Sequence, residues 1–138
     1  MAEIMNFNPK GTGRIAEVLE GADAKTRALA RKIMAHVRKK VPDARAAAYP
    51  FWRVVMFASK NVAFCYVGPT KDGVNIGFNA GVFLRDPKGL LKGKAKMMRR
   101  VRINVGDQNI PWDDLTDLLI QARKFCDKAA QLKKMGLG

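Results

Sequence analysis

Apolar residues recur with a helical period along two stretches of the chain and follow strand-like patterns along several shorter ones. Leu29, Ile33 and Val37 stand four apart, with Ala30, Met34 and Val41 beside them. This spacing predicts a helix from about Ala24 to Val41, with Asp23 as N-cap and Pro42 as its stop. Leu115, Leu118, Leu119, Ala122, Phe125, Cys126 and Ala129 form a second stripe. It predicts a last helix over about Pro111–Leu132, with Pro111 at the first helical position. Between the two lie Phe51–Ala58, Val62–Val67 and Val74–Asn79, rich in β-branched and aromatic residues. Short connections at Ser59-Lys60-Asn61 and Gly68–Gly73 make these a three-strand antiparallel meander.

A fourth strand is expected at about Met97–Val105. Met97, Val101, Ile103 and Val105 share one face, and Met98, Arg100, Arg102 and Asn104 the other. Arg99 has the parity of the apolar face, so the strand either starts after it or bulges there. Arg14–Glu20 reads as a short helix ended by Gly21, and Asp43–Tyr49 as a turn or helical segment. Gly81–Lys96 reads as a long link, anchored on the core by Leu84, Leu90 and Leu91.

Two long amphipathic helices on one face of an antiparallel sheet of at least four strands make an α+β two-layer sandwich. A chain of 138 residues suits one such domain, placed here at 14–132. Residues 1–13, with Pro9, Gly11 and Gly13, read as a mobile start, and residues 133–138 as a frayed tail.

Charge changes this picture. The chain carries 26 Lys and Arg against 12 Asp and Glu, a net +14. Residues 25–45 and 85–102 each carry +7, and the remaining residues are neutral in sum. A patchy basic surface points to an anionic partner: nucleic acid or a phosphorylated small molecule. No apolar run reaches the roughly 20 residues of a membrane span, and no basic segment followed by an apolar one marks a secretory signal. Cys65 and Cys126 make neither a disulfide framework nor a zinc cluster. A reduced, cytoplasmic protein without a membrane partner is the expectation.

The candidate anion-binding residues are Lys92, Lys94, Lys96, Arg99, Arg100 and Arg102 on the link and fourth strand. Arg27, Arg31 and Arg38 on the first long helix join them. Arginine forks match phosphate oxygens, and nearby glycines let the backbone approach. The plainer alternatives are a charged solvent face on the helix and lysines that protect a sheet edge. Trp52, Phe57 and Tyr66 are candidates for stacking on a sheet face that the helices leave open. Trp52 and Phe57 have opposite parity, so one of them faces away from the core.

Asp113, Asp114 and Asp117 gather near the start of the last helix. They are candidates for a divalent cation, although acids at a helix N-terminus also offset the helix dipole. The single histidine, His36, has no second histidine to pair with for a metal, and both thiols read as buried structural groups. No nucleotide-binding glycine loop, catalytic triad or zinc motif is present.

Several segments from Pro50 to Ala122 resemble the YdhG-like family, largely uncharacterised bacterial proteins. The resemblance is carried by Tyr49-Pro50, Gly77-Phe78-Asn79-Ala80-Gly81, Asp86-Pro87, Leu90-Leu91-Lys92-Gly93 and Met98-Arg99-Arg100-Val101, in that order. It implies a frataxin-like arrangement of two helices on an antiparallel sheet, and in one branch an iron-chaperone role. Lys92 stands where that family often has Glu, Ala95 where it often has Gly, and Arg100 where it often has His. The polar changes remove ligand types that iron prefers. The leading expectation is therefore a non-enzymatic binding module for an anionic partner, without a cofactor. A frataxin-like iron carrier, with iron as its metal, is one alternative. A small-ligand or enzymatic pocket on the open sheet face is the other.

Overall fold

Residues 8–136 are described by a computed structural model. The elements in chain order are α1 (Ile15–Val18), α2 (Ala24–Lys40), β1 (Arg45–Tyr49), β2 (Val54–Ser59), β3 (Val62–Thr70), β4 (Gly73–Phe78), β5 (Arg99–Asn104) and α3 (Trp112–Lys134). Short 3-10 turns occupy Pro50–Trp52 and Gly81–Phe83. The five strands form one antiparallel sheet in the order β1-β2-β3-β4-β5. This is the expected α+β class, with two long helices and a sheet of five strands. Among the described residues, no helix is long and apolar enough to cross a membrane.

Both long helices pack on the same face. Ala30, Ile33, Met34 and Val37 of α2 meet Leu115, Leu118, Leu119 and Ala122 of α3 over Val55, Phe57, Cys65, Val67, Ile76, Phe78, Val101 and Ile103 of the sheet. The caps follow the sequence. Asp23 accepts from Thr26 N at 2.8 Å, and α2 stops one residue short of Val41. Lys60 and Asn61 take positive φ in a two-residue hairpin between β2 and β3. Leu84, Leu90 and Leu91 anchor the link as expected. Asp86 closes it by accepting from Leu90 N and Leu91 N at 2.9 and 2.8 Å.

Several local expectations change. Residues 45–49 form the edge strand β1, not a turn or helix, because Ala46, Ala47 and Ala48 fit a pleated surface against Phe57, Met56 and Val55. Of the segment read as mobile, residues 8–13 are tied to β1. Thr12 N donates to Ala48 O at 2.9 Å, Asn8 N donates to the Tyr49 hydroxyl at 2.8 Å, and Gly13 bridges Ala48. Residues 1–7, like 137–138 of the tail, lie outside the described residues. Helix α3 itself continues to Lys134.

Phe51 and Trp52 do not begin a strand. Pro50 fixes φ for a 3-10 turn, and Arg53 at φ 55° turns the chain into β2. Gly68 and Pro69 belong to β3 rather than to a turn. Pairing with β2 ends at Val55↔Val67, so Pro69 sits where β3 is paired with β4 alone. Arg99 opens β5 opposite Phe78 without a bulge. Its Nη1 donates to the carbonyls of Ala95 and Met98, which satisfies a cation at the core margin.

A polar cluster ties the β2–β3 hairpin to α3. Arg123 Nη2 pairs with Asp43 at 2.8 Å and its Nη1 with Asp127 at 2.9 Å. Lys60 pairs with Asp127 at 2.7 Å, and the Ser59 hydroxyl donates to Asp43 at 2.6 Å. Hydrogen bonds from Lys60 and Arg123 hold the Asp127 carboxyl down to about 2, and those from Arg123 and Ser59 lower Asp43. Depressed carboxylates stabilise the fold above their unfolded pKa of roughly 4, and that contribution disappears as pH falls through the folded value. Arg123→Ala should lower the thermal midpoint at neutral pH, and the gap to the unaltered protein should close as pH drops from about 4 towards 2. A gap of constant size down to pH about 2 contradicts the assignment.

Candidate functional site

Helices cover one face of the sheet, so the other must be finished by its own side chains. Register places them in rows. Met56, Tyr66, Gly77 and Arg100 lie side by side across β2 to β5. Lys92 extends that row, because it bridges Arg100 through two backbone hydrogen bonds of 2.8 and 2.9 Å. The next row holds Gly68, Asn75 and Arg102. Residues two apart on a strand share a face, so Arg100 and Arg102 point the same way, about 7 Å apart along the strand.

Two glycines shape this face. A Cβ at Gly77 would overlap the Tyr66 ring, so the ring lies flat on β4. A Cβ at Gly68 would stand 2.6 Å from Arg53 O, so glycine lets the Pro50–Arg53 turn settle onto β3. That turn holds Trp52 at the surface, 43% exposed. Tyr66 and Met98 cover Met56 and Ala63, which are buried although no helix lies over them. Burial raises the Tyr66 hydroxyl above its ordinary pKa, and the nearby Arg100 charge opposes the shift.

Arg102 is fixed in place. Its Nε donates to Asn104 Oδ1 at 2.8 Å, its Nη2 to Lys71 O at 2.6 Å, and its Nη1 to the Thr70 hydroxyl. The second hydrogens of both Nη atoms are left for a ligand. Among the described residues, neither Arg100 nor Arg102 has a carboxylate within salt-bridge distance. Beside them is a pocket of about 250 Å³, lined by Trp52, Val54, Tyr66, Gly68, Asn75 and Met98 among others.

The sequence-predicted residues divide accordingly. Lys92, Arg100, Arg102, Trp52 and Tyr66 meet on the open face. Lys94 and Lys96 are exposed on the link. Arg99 serves the loop before β5. Arg27, Arg31 and Arg38 are exposed on α2, in the helix layer, so a ligand lying flat on the open face does not reach them. Phe57 is fully buried beneath the helices and is no stacking surface.

The acidic group does not assemble. Asp113 and Asp114 lie in the first turn of α3, and Asp117 accepts from Gln121 Nε2 at 2.9 Å. Among the described residues, no three His, Cys, Asp or Glu side chains gather as a metal site. His36 is half-buried, 2.9 Å from the Thr116 hydroxyl and tilted against Trp112. Burial, with Lys40 and Lys39 nearby, lowers its pKa. Both thiols are buried, and desolvation pushes Cys126 up to about 11, far from a thiolate at neutral pH.

Sequence reasoning missed Asn75, Gly68 and Gly77 as site-builders. Their signal was parity: Asn75 and Gly77 alternate with Val74, Ile76 and Phe78, the apolar set of β4.

Fold and face together define a two-layer α+β domain with an arginine-bearing open sheet. A family model described as "Domain of unknown function (DUF5655)" matches residues 15–125, and the chain belongs to that family. The match spans the whole sheet, but it does not carry the YdhG-like name that the motifs suggested. Comparisons with curated proteins and with solved structures returned no match.

The Tyr66–Gly77 contact has a direct signature. Ring current should move the Gly77 α-proton resonances upfield, and Tyr66→Leu should return them to ordinary values. Ordinary Gly77 shifts in the unaltered protein contradict a flat ring.

Proposed function

We propose that this domain is a non-enzymatic binding module for a phosphate-bearing anionic partner, held on the open sheet face. The observation that carries the reading is the adjacency of Lys92, Arg100 and Arg102 on one face, with no carboxylate pairing either arginine among the described residues. A cation left without a counter-charge on a flat surface is available to an anion. The bonds to Thr70, Lys71 and Asn104 hold the Arg102 guanidinium in place before any ligand arrives. Arg27, Arg31 and Arg38 add long-range attraction rather than contacts at the site. A cytoplasmic location accords with a reduced, anion-binding protein. Kinship with bacterial YdhG-like proteins, and the frataxin-like iron role it implies, rest on the motifs alone.

Three contacts to an extended phosphate chain imply a salt dependence of log affinity with a slope of about −2. Binding of inorganic polyphosphate and of a short oligonucleotide, measured by anisotropy or competition across a salt series, tests the reading. The double variant Arg100→Ala/Arg102→Ala should bind at least about tenfold more weakly, with a slope shallower by about 1.4. Arg27→Ala/Arg31→Ala should change affinity by less than about threefold. No binding at the lowest salt, or equal losses in the two double variants, overturns the proposal.

A further inference from the structure

We infer that the phosphate-bearing partner is single-stranded nucleic acid and that one unpaired base lodges in the pocket beside Trp52, Tyr66 and Asn75. This rests on the reading above and adds the recognised group. The pocket, about 250 Å³, is smaller than the roughly 300–1,000 Å³ of cavities that hold drug-sized ligands. It suits one planar ring system rather than a large metabolite.

Its lining offers what a base needs. Trp52 stands at the mouth, 43% exposed, and Tyr66 lies with one ring face on Gly77, which turns the other face outward. Either surface can stack on any base, because every base has a π face. Asn75 stands in the lining, and its amide carries a donor and an acceptor side by side, the pair that a base edge presents in return. Its Oδ1 is buried, and among the described residues no donor reaches it. A buried acceptor without a partner is costly, and an N–H from a ligand would satisfy it.

Phosphate and base positions are coupled by register. Arg102 is the direct cross-strand neighbour of Asn75, and Arg100 that of Gly77 beneath Tyr66. Cross-strand neighbours such as Asn75 and Arg102 have Cβ atoms about 5 Å apart. A nucleotide with its base against Tyr66 and Asn75 therefore has its phosphate within reach of the arginines. A duplex cannot use this arrangement, because its base faces are stacked inside.

The test compares four probes at one salt concentration. They are a single-stranded oligonucleotide, its duplex, the same strand with abasic positions, and inorganic polyphosphate. The single strand should bind about tenfold more tightly than the duplex or the abasic strand, the effect of one stacked base, and should quench Trp52 fluorescence. Trp52→Ala and Tyr66→Leu should each lower single-strand affinity about tenfold and leave polyphosphate binding unchanged, with Trp52→Phe restoring most of the loss. Circular dichroism confirms that each variant folds. Equal binding of all four probes overturns the base pocket and leaves the anion reading standing. Binding of none overturns both. A nucleoside monophosphate that binds as tightly as the oligonucleotide overturns the single-strand assignment in favour of a free nucleotide.

Discussion

Both long helices pack on the same face of the sheet, and the character of the other face follows from that asymmetry. A five-strand sheet has two surfaces, and α2 and α3 bury only one. The second has to tolerate water while still covering Met56 and Ala63. It does so with Tyr49, Tyr66 and Met98 spread across the strands. Flat coverage needs close approach to the backbone, which is why glycine stands at 68 and 77. The same flattening exposes aromatic faces, so the solution to a packing problem also supplies the surface proposed for a planar ligand.

Much of the architecture was legible in the sequence because it rests on periodicity. The stripes Leu29–Val37 and Leu115–Ala129 placed both helices to within a few residues, and alternation along 97–105 found the β5 region with its two faces. Strand β1 was not legible, since Arg45-Ala-Ala-Ala-Tyr49 has weak strand propensity and becomes a strand only through its partner β2. The Pro50–Trp52 turn was missed because Phe51 and Trp52 resemble strand residues, whereas the positive φ at Arg53 has no sequence signature. Local pattern could not report either feature, because tertiary contacts decide them.

The candidate site shows the same division. Arg100 and Arg102 were legible from charge and parity, and Trp52 and Tyr66 from residue type. That the four belong together was not, because residues 52, 66, 100 and 102 come to one face only once strands β2 to β5 are in register. Charge totals misled in one respect. The two +7 segments look equivalent in the sequence, but α2 carries its share in the helix layer and β5 carries part of its own on the open face. Arg99 shows how finely this divides: one residue from Arg100, it is spent on the carbonyls of Ala95 and Met98.

The open sheet face is the proposed meeting point of this protein with its partner. Amide and arginine side-chain NMR shifts, followed while a short single-stranded oligonucleotide is added, test it most directly. The perturbed resonances should cluster at Trp52, Tyr66, Asn75, Gly77, Lys92, Arg100 and Arg102. Perturbations centred instead on Arg27, Arg31 and Arg38 of α2, or no perturbation at low salt, would contradict it.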